Sequence, residues 1–172
     1  LLQRTFQYDI SDLVYYFQCA KEKLSLRLSS IVENVHGLDF VPPVQLYQSI
    51  LGIHWQQWIE LFAEIEKCSD YEYLILDLTD GVTDLWDILR SCTHVYTITR
   101  GDGVSLAKMD QYERGLRTME YEDVLAKTRK IEFPVFKEIP IRFDELTYGD
   151  LAHYVRQYII PDFERERVEN NE

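Results

Sequence analysis

The chain has 172 residues, 46% of them apolar and 28% charged, with a formal net charge of −12. Roughly 70% of the surface of such a chain can be buried on folding, which fits one globular domain and excludes a disordered tail, a collagen-like chain or a small disulfide-stapled domain. An acidic excess of this size repels phosphate backbones, so nucleic-acid binding driven by charge is not expected.

Residues 9–20 predict a helix with Ser11 as N-cap and Leu13, Val14 and Phe17 on one face. Residues 29–33 and 38–41 read as two strands around Val35-His36-Gly37, the second ended by Pro42-Pro43. Trp55, Trp58, Ile59, Phe62 and Ile65 recur at helical spacing and predict an amphipathic helix to about Lys67, its tryptophans packed on a sheet. Residues 73–78, YLILDL, are a continuous apolar run, short enough for a buried parallel strand. Residues 83–92 predict a helix with Leu85, Ile88 and Leu89 inward, and 94–99, HVYTIT, a β-branched and aromatic strand. A helix over 105–119 follows, then a shorter one over 121–130, a strand over 131–136 interrupted by Pro134, and a helix over 147–160 capped by Thr147. Residues 1–160 read as one domain and 161–172 as a polar tail.

Strands alternating with helices predict right-handed βαβ crossovers and an α/β fold: a three-layer, mainly parallel sheet flanked by helices. Ligands of such sheets bind beyond the carboxyl ends of the strands, which points to the loops after Leu78, Thr99 and Phe136. An apolar strand that ends in Asp77 and continues Leu78-Thr79-Asp80-Gly81 presents a carboxylate at the edge of a sheet. Nucleotide-hydrolysing proteins hold Mg²⁺ with that arrangement, often through a water, and Gly81 would let the loop approach a phosphate. The same pattern also describes an Asp that starts a turn or caps a helix.

The remaining constellations are weaker. Gly101-Asp102-Gly103 lacks the third Gly of a dinucleotide fingerprint and reads as a flexible strand-to-helix turn. Asp80, Asp84 and Asp87 could share an acidic face or a weak cation site, with solvated carboxylates near a helix N-terminus as the simpler reading. His36, His54, His94 and His153 have no metal-ligand spacing. Cys19, Cys68 and Cys92 form no C-x-x-C pair and read as small buried hydrophobes in a reducing cytosol. Tyr15, Tyr16, Tyr154 and Tyr158 lie on terminal helices that could serve as a partner surface, or simply pack. No apolar run approaches 18 residues, so no membrane span is expected, and no signal peptide is evident. The opening Leu1-Leu2-Gln3-Arg4, without an initiator Met, reads as a start partway through a longer polypeptide.

In order and spacing, a helix, the strand Y-L-I-L-D, an acidic helix, the strand V-Y-T-I-T and a long helix resemble the C-terminal part of MinD/ParA-type P-loop ATPases, including the pilus-assembly CpaE-like branch. The resemblance covers about residues 9–160. Asp70-Tyr71-Glu72-Tyr73-Leu74-Ile75-Leu76-Asp77 is similar to the family's Walker B strand. Gly37-Leu38-Asp39-Phe40-Val41-Pro42-Pro43 is similar to its G-L-x-V-L-P strand and loop, and LRSCTHVYTIT to its phrase ADRVLLVVT. The resemblance implies ATP and Mg²⁺ as cofactors, a homodimer or protein partner, and work in positioning, assembly or regulation. Asp77 would then organise Mg²⁺ through a water, and Thr79, Asp80 and Gly81 would form a switch-like loop sensing the γ-phosphate.

The chain departs from the family in three places. No G-x-x-x-x-G-K-[ST] occurs in it; Thr79 stands where a Pro is usual; and the late strand IEFPVF has no Asn for adenine. Without backbone amides and a Lys to hold the phosphates, the chain by itself is not expected to hydrolyse ATP. Either the P-loop lies upstream of Leu1, or the chain is a degenerate relative that keeps the scaffold. The alternatives are a non-enzymatic acidic α/β interaction module and a small-molecule-binding doubly wound domain.

Overall fold

The computed structural model describes residues 5–35, 37–133, 147–161 and 163. The chain is α/β and divides into two compact units, one of residues 6–33 and 39–133, the other of residues 1–5, 34–38 and 134–172.

In the larger unit, α1 (Ile10–Cys19) is capped by Asp9 rather than Ser11. Asp9 Oδ1 accepts from the Ser11 N–H at 2.8 Å, and Asp12 Oδ2 accepts from the Asp9 N–H at 2.9 Å. This reciprocal box satisfies two amide donors and sets carboxylates at the positive end of the helix. Residues 29–31, expected in a strand, instead finish α2 (Leu24–Ile31). Leu24, Leu28 and Ile31 are all buried at helical spacing, and that stripe overrides the β-propensity of Ile31-Val32.

Helix α3 (Trp55–Cys68) buries Trp58, Leu61 and Ile65. They pack with Leu13, Val14 and Phe17 of α1, the α2 stripe, and Ile88 of α4 (Leu85–Ser91). The tryptophan helix therefore packs among helices rather than on a sheet, with Trp58 stacked on Phe62 at 5.9 Å.

A second cluster joins Leu89, Val95, Leu116 and Val124. It draws on α4, β3 (Val95–Thr99), α5 (Gly103–Thr118) and α6 (Glu122–Ala126). Strand β3 runs parallel to β4 (Thr128–Glu132), with Val95 opposite Thr128 and Thr99 opposite Glu132. The intervening α5 and α6 make this a βαβ unit. Strand β4 takes residues 128–130 from the expected helix over 121–130, because they find ladder partners in β3.

Strands β1 (Glu33–Val35) and β2 (Leu38–Phe40) form a hairpin whose two-residue connection requires antiparallel pairing. Gly37 has φ +85°, a turn conformation that favours glycine, and donates its N–H to Asn34 Oδ1 at 3.3 Å. In the smaller unit, α7 (Gly149–Tyr158) is preceded by Tyr148 at the N-cap, not Thr147. The Thr147 carbonyl accepts from Arg156 Nη2 at 2.6 Å.

Among the described residues the sheets are two pairs, β1–β2 and β3–β4, so the expected three-layer parallel sheet is not seen. Residues 73–78 differ most from expectation. Among the described residues they form no ladder, and Tyr73, Leu74 and Ile75 are exposed rather than buried. Residues 134–136 of the expected late strand, His36, and residues 162 and 164–172 of the expected tail lie outside the described residues.

Candidate functional site

The site expected from sequence centres on Asp77, Thr79, Asp80 and Gly81. Residues 73–79 run without bend, turn or helix. Leu76 and Leu78 lean against the helical cluster, and Leu78 also touches the βαβ cluster. Asp77 and Thr79, between and beyond them, face solvent. The period of two is that of an extended strand. The chain then reverses over Asp80-Gly81, where the Val82 N–H donates to the Thr79 carbonyl at 3.2 Å.

All four candidates are therefore exposed and lie within five residues, on a straight segment and the turn that ends it. Sequence reasoning missed Tyr47, in a 3-10 turn at Tyr47–Ile50. A Cβ on Gly81 would stand 3.3 Å from the Tyr47 hydroxyl oxygen, so the absent side chain gives Tyr47 its place against the turn. Tyr47 lies four residues beyond Pro43, and its sequence neighbourhood carries no signal of this approach.

Asp80, Asp84 and Asp87 are not one acidic site. Asp84, with φ 54°, caps α4 and reaches back to α3. Its Oδ2 accepts from the Trp55 N–H at 3.3 Å and lies 3.2 Å from His54 Nδ1. A carboxylate at the first amides of α3 answers both an open donor and the helix dipole. Asp87 Oδ1 accepts from the Tyr121 hydroxyl at 3.0 Å, and this bond is the main cause that raises the Tyr121 pKa. Among the described residues no group of three or more His, Cys, Asp or Glu could hold a metal ion.

The Gly101-Asp102-Gly103 turn is already filled by its own carboxylate. Asp102 accepts from the amides of Val104 and Ser105 at 3.1 and 3.0 Å and from the Ser105 hydroxyl at 2.7 Å. The Ser105 amide and hydroxyl, chiefly, hold its carboxyl below the usual carboxylate range. A phosphate at the start of α5 would meet an anion in the place of free donors. Gly101 lies against the Glu132 carboxylate, which would have to move to admit a Cβ.

The cations around α4 are engaged. Arg90 grips Asp123 through Nε and Nη2, both at 2.8 Å, and donates from Nη2 to the Glu120 carbonyl at 2.7 Å. Its guanidinium also lies 4.1 Å from the Tyr121 ring centre. Lys127 donates to the carbonyls of Arg90 and Cys92, and Lys130 pairs with Glu113.

Burial pushes the Cys68 and Cys92 thiols up, away from thiolate chemistry, whereas Cys19 is exposed rather than buried. Tyr15 and Tyr16 meet edge to face at 5.7 Å in the larger unit, and Tyr154 and Tyr158 lie 4.8 Å apart in the smaller. No helix among the described residues is long and apolar enough to cross a membrane.

No family model matches the chain, and neither a curated protein nor a solved structure matches it.

Proposed function

We propose that the chain is an ATPase-type domain of the MinD/ParA/CpaE-like kind, without hydrolysis of its own, working in positioning, assembly or regulation through a protein partner or homodimer. One observation carries this reading. A straight apolar segment ends in the exposed Asp77 and the Thr79–Val82 turn, and a parallel βαβ unit follows it in the chain. In the proposed complete domain, residues 73–79 are one strand of a mainly parallel three-layer sheet.

The residues present do not fit ATP and Mg²⁺ by themselves. From Cys68 to Leu89 there are six carboxylates and no Lys or Arg. The start of α5 is occupied by Asp102, and the cations near α4 are held by carboxylates and carbonyls. A triphosphate at this turn would add negative charge to negative charge with no opposing group. The roles that the resemblance implies for Asp77, Thr79, Asp80 and Gly81 need a phosphate-binding loop that these 172 residues do not contain. The alternative, a non-enzymatic acidic interaction module, is favoured by the same cation-free stretch.

Calorimetric titration with ATP and Mg²⁺ tests both parts. The 172-residue chain should give no binding; micromolar binding abolished by Asp77→Ala would overturn the argument from charge. The polypeptide encoded by the complete gene should bind ATP with Mg²⁺ and lose it in Asp77→Ala. A complete product without nucleotide binding would leave the interaction module alone.

A further inference from the structure

Where α1 and α2 meet, they bring together a group of side chains that takes no part in the candidate site. The Arg27 guanidinium lies 4.3 Å from the centre of the Tyr16 ring, and Tyr16 meets Tyr15 edge to face. Lys23, Leu26 and Arg27 stand at i, i+3 and i+4, so they share one sector of α2 beside its buried stripe of Leu24, Leu28 and Ile31. Leu26 is 72% exposed, and Tyr15 is exposed as well. A large aliphatic side chain and an aromatic ring left in water on adjoining helices, with an Arg between them, have the composition of a protein contact.

The charges select the occupant. From Leu13 to Val32 the chain carries three cations and one carboxylate, Glu22, against a net charge of −12 for the whole. Lys21 is engaged: it is bridged to Glu64 at 3.1 Å and lies over the Phe17 ring. Lys23 and Arg27 make no ion pair among the described residues. Held over the Tyr16 ring, Arg27 loses little freedom when its fork of N–H donors takes a carboxylate. Two such cations beside apolar ground suit a short acidic segment. They are too few to offset the repulsion between this acidic chain and a long polyanion or an anionic membrane surface. A second copy in a two-fold contact would set Lys23 and Arg27 against themselves, like charge on like.

We propose that this α1–α2 face docks an acidic segment of a partner protein that carries an apolar anchor. Carboxylates of the guest pair with Arg27 and Lys23, and its apolar side chain covers Leu26 and Tyr15. The inference rests on the assembly reading for the existence of a protein partner, and it names that partner's chemistry. It uses neither a nucleotide nor residues 73–79, so it holds whether or not those residues are paired in the complete domain. The titration with ATP and the peptide test below can therefore fail separately.

The test titrates three end-blocked peptides into the isotope-labelled 172-residue chain and reads backbone amide shifts by NMR. They are Glu-Asp-Leu-Phe-Glu-Asp-Leu-Leu, the same peptide with Lys for each acidic residue, and the acidic peptide with Ser for each apolar one. The acidic peptide should bind saturably, weaken as salt rises, and move the amides of Tyr15, Tyr16, Lys23, Leu26 and Arg27 ahead of the rest. The other two should bind at least about tenfold more weakly. Leu26→Ser and Lys23→Glu alter exposed side chains, so both should leave thermal unfolding near that of the parent. Leu26→Ser should weaken the acidic peptide by about tenfold. Lys23→Glu should weaken it too, and strengthen the Lys-containing peptide. The proposal is overturned if the acidic peptide moves no amide of α1 or α2, if either control peptide binds equally well, or if Lys23→Glu changes neither affinity. It is also overturned if phosphatidylserine vesicles or a thymidine oligonucleotide bind this face more tightly than the acidic peptide. The occupant would then be a membrane or a nucleic acid. If the same amides shift as protein concentration alone rises, or the polypeptide encoded by the complete gene does not bind the peptide, the proposal is overturned in favour of a second copy or the same polypeptide.

Discussion

Replacing Ile75 by Ala separates a covered strand from a bare one. Full burial of an Ile side chain is worth about 1.5–3 kcal/mol by transfer. Ile75 is 75% exposed. Only about a quarter of that transfer term is at stake, roughly 0.4–0.8 kcal/mol, and no cavity forms. Leu61, 0% exposed in the same unit, supplies the contrast: Leu61→Ala removes packed atoms and leaves a cavity, at a cost of about 2–5 kcal/mol. Both variants can be compared with the parent by urea unfolding at fixed, low protein concentration, taking stability from midpoints at a shared slope. The expected order is a small shift for Ile75→Ala and a large one for Leu61→Ala. A loss above about 2 kcal/mol in Ile75→Ala would refute the reasoning, since only burial on both faces of the segment produces it.

Two further outcomes follow from named contacts. Asp102→Ala should destabilise α5, because the amides of Val104 and Ser105 lose their acceptor. The folded carboxyl of Asp102 titrates below its unfolded value, so its contribution is present above about pH 4 and is lost as pH falls through the lower folded pKa. The stability gap between parent and variant should close on acidification; a gap constant from pH 7 to about pH 2 would contradict the capping role. Alkylation at pH 8 followed by peptide mass spectrometry should label the exposed Cys19 ahead of Cys68 and Cys92, whose thiols burial holds protonated. Faster labelling of Cys92 would show that the packing around α4 is not as described.

Much of the local structure was legible in the residues. Leu13, Val14 and Phe17 marked α1, and the recurrence from Trp55 to Ile65 marked α3. The β-branched run HVYTIT marked β3. These signals are short-range, since one face of a helix or one strand's worth of β-branched residues can be read within a single window. The errors fell where two local signals compete. Ile31 has a β-branched side chain but completes a helical stripe, and Thr128, two residues beyond the end of α6, opens a strand. The Ser11 and Thr147 caps failed because Asp9 and Tyr148 stand at the boundaries in their place.

The candidate site was legible only as a list of residues. By itself the sequence determined that Asp77, Thr79, Asp80 and Gly81 fall within five residues, that no Lys or Arg lies between Cys68 and Leu89, and that no phosphate-binding loop is present in these 172 residues. The tertiary structure alone decided that Leu74 and Ile75 are exposed while Leu76 and Leu78 lean on the core, that Tyr47 approaches the Gly81 turn, and that Asp84 and Asp87 are engaged 29 and 34 residues away. The physical reason is that a strand's hydrogen bonds come from other parts of a chain. An apolar run therefore reads the same whether its neighbours are present or not, and only coordinates show which edge is left open.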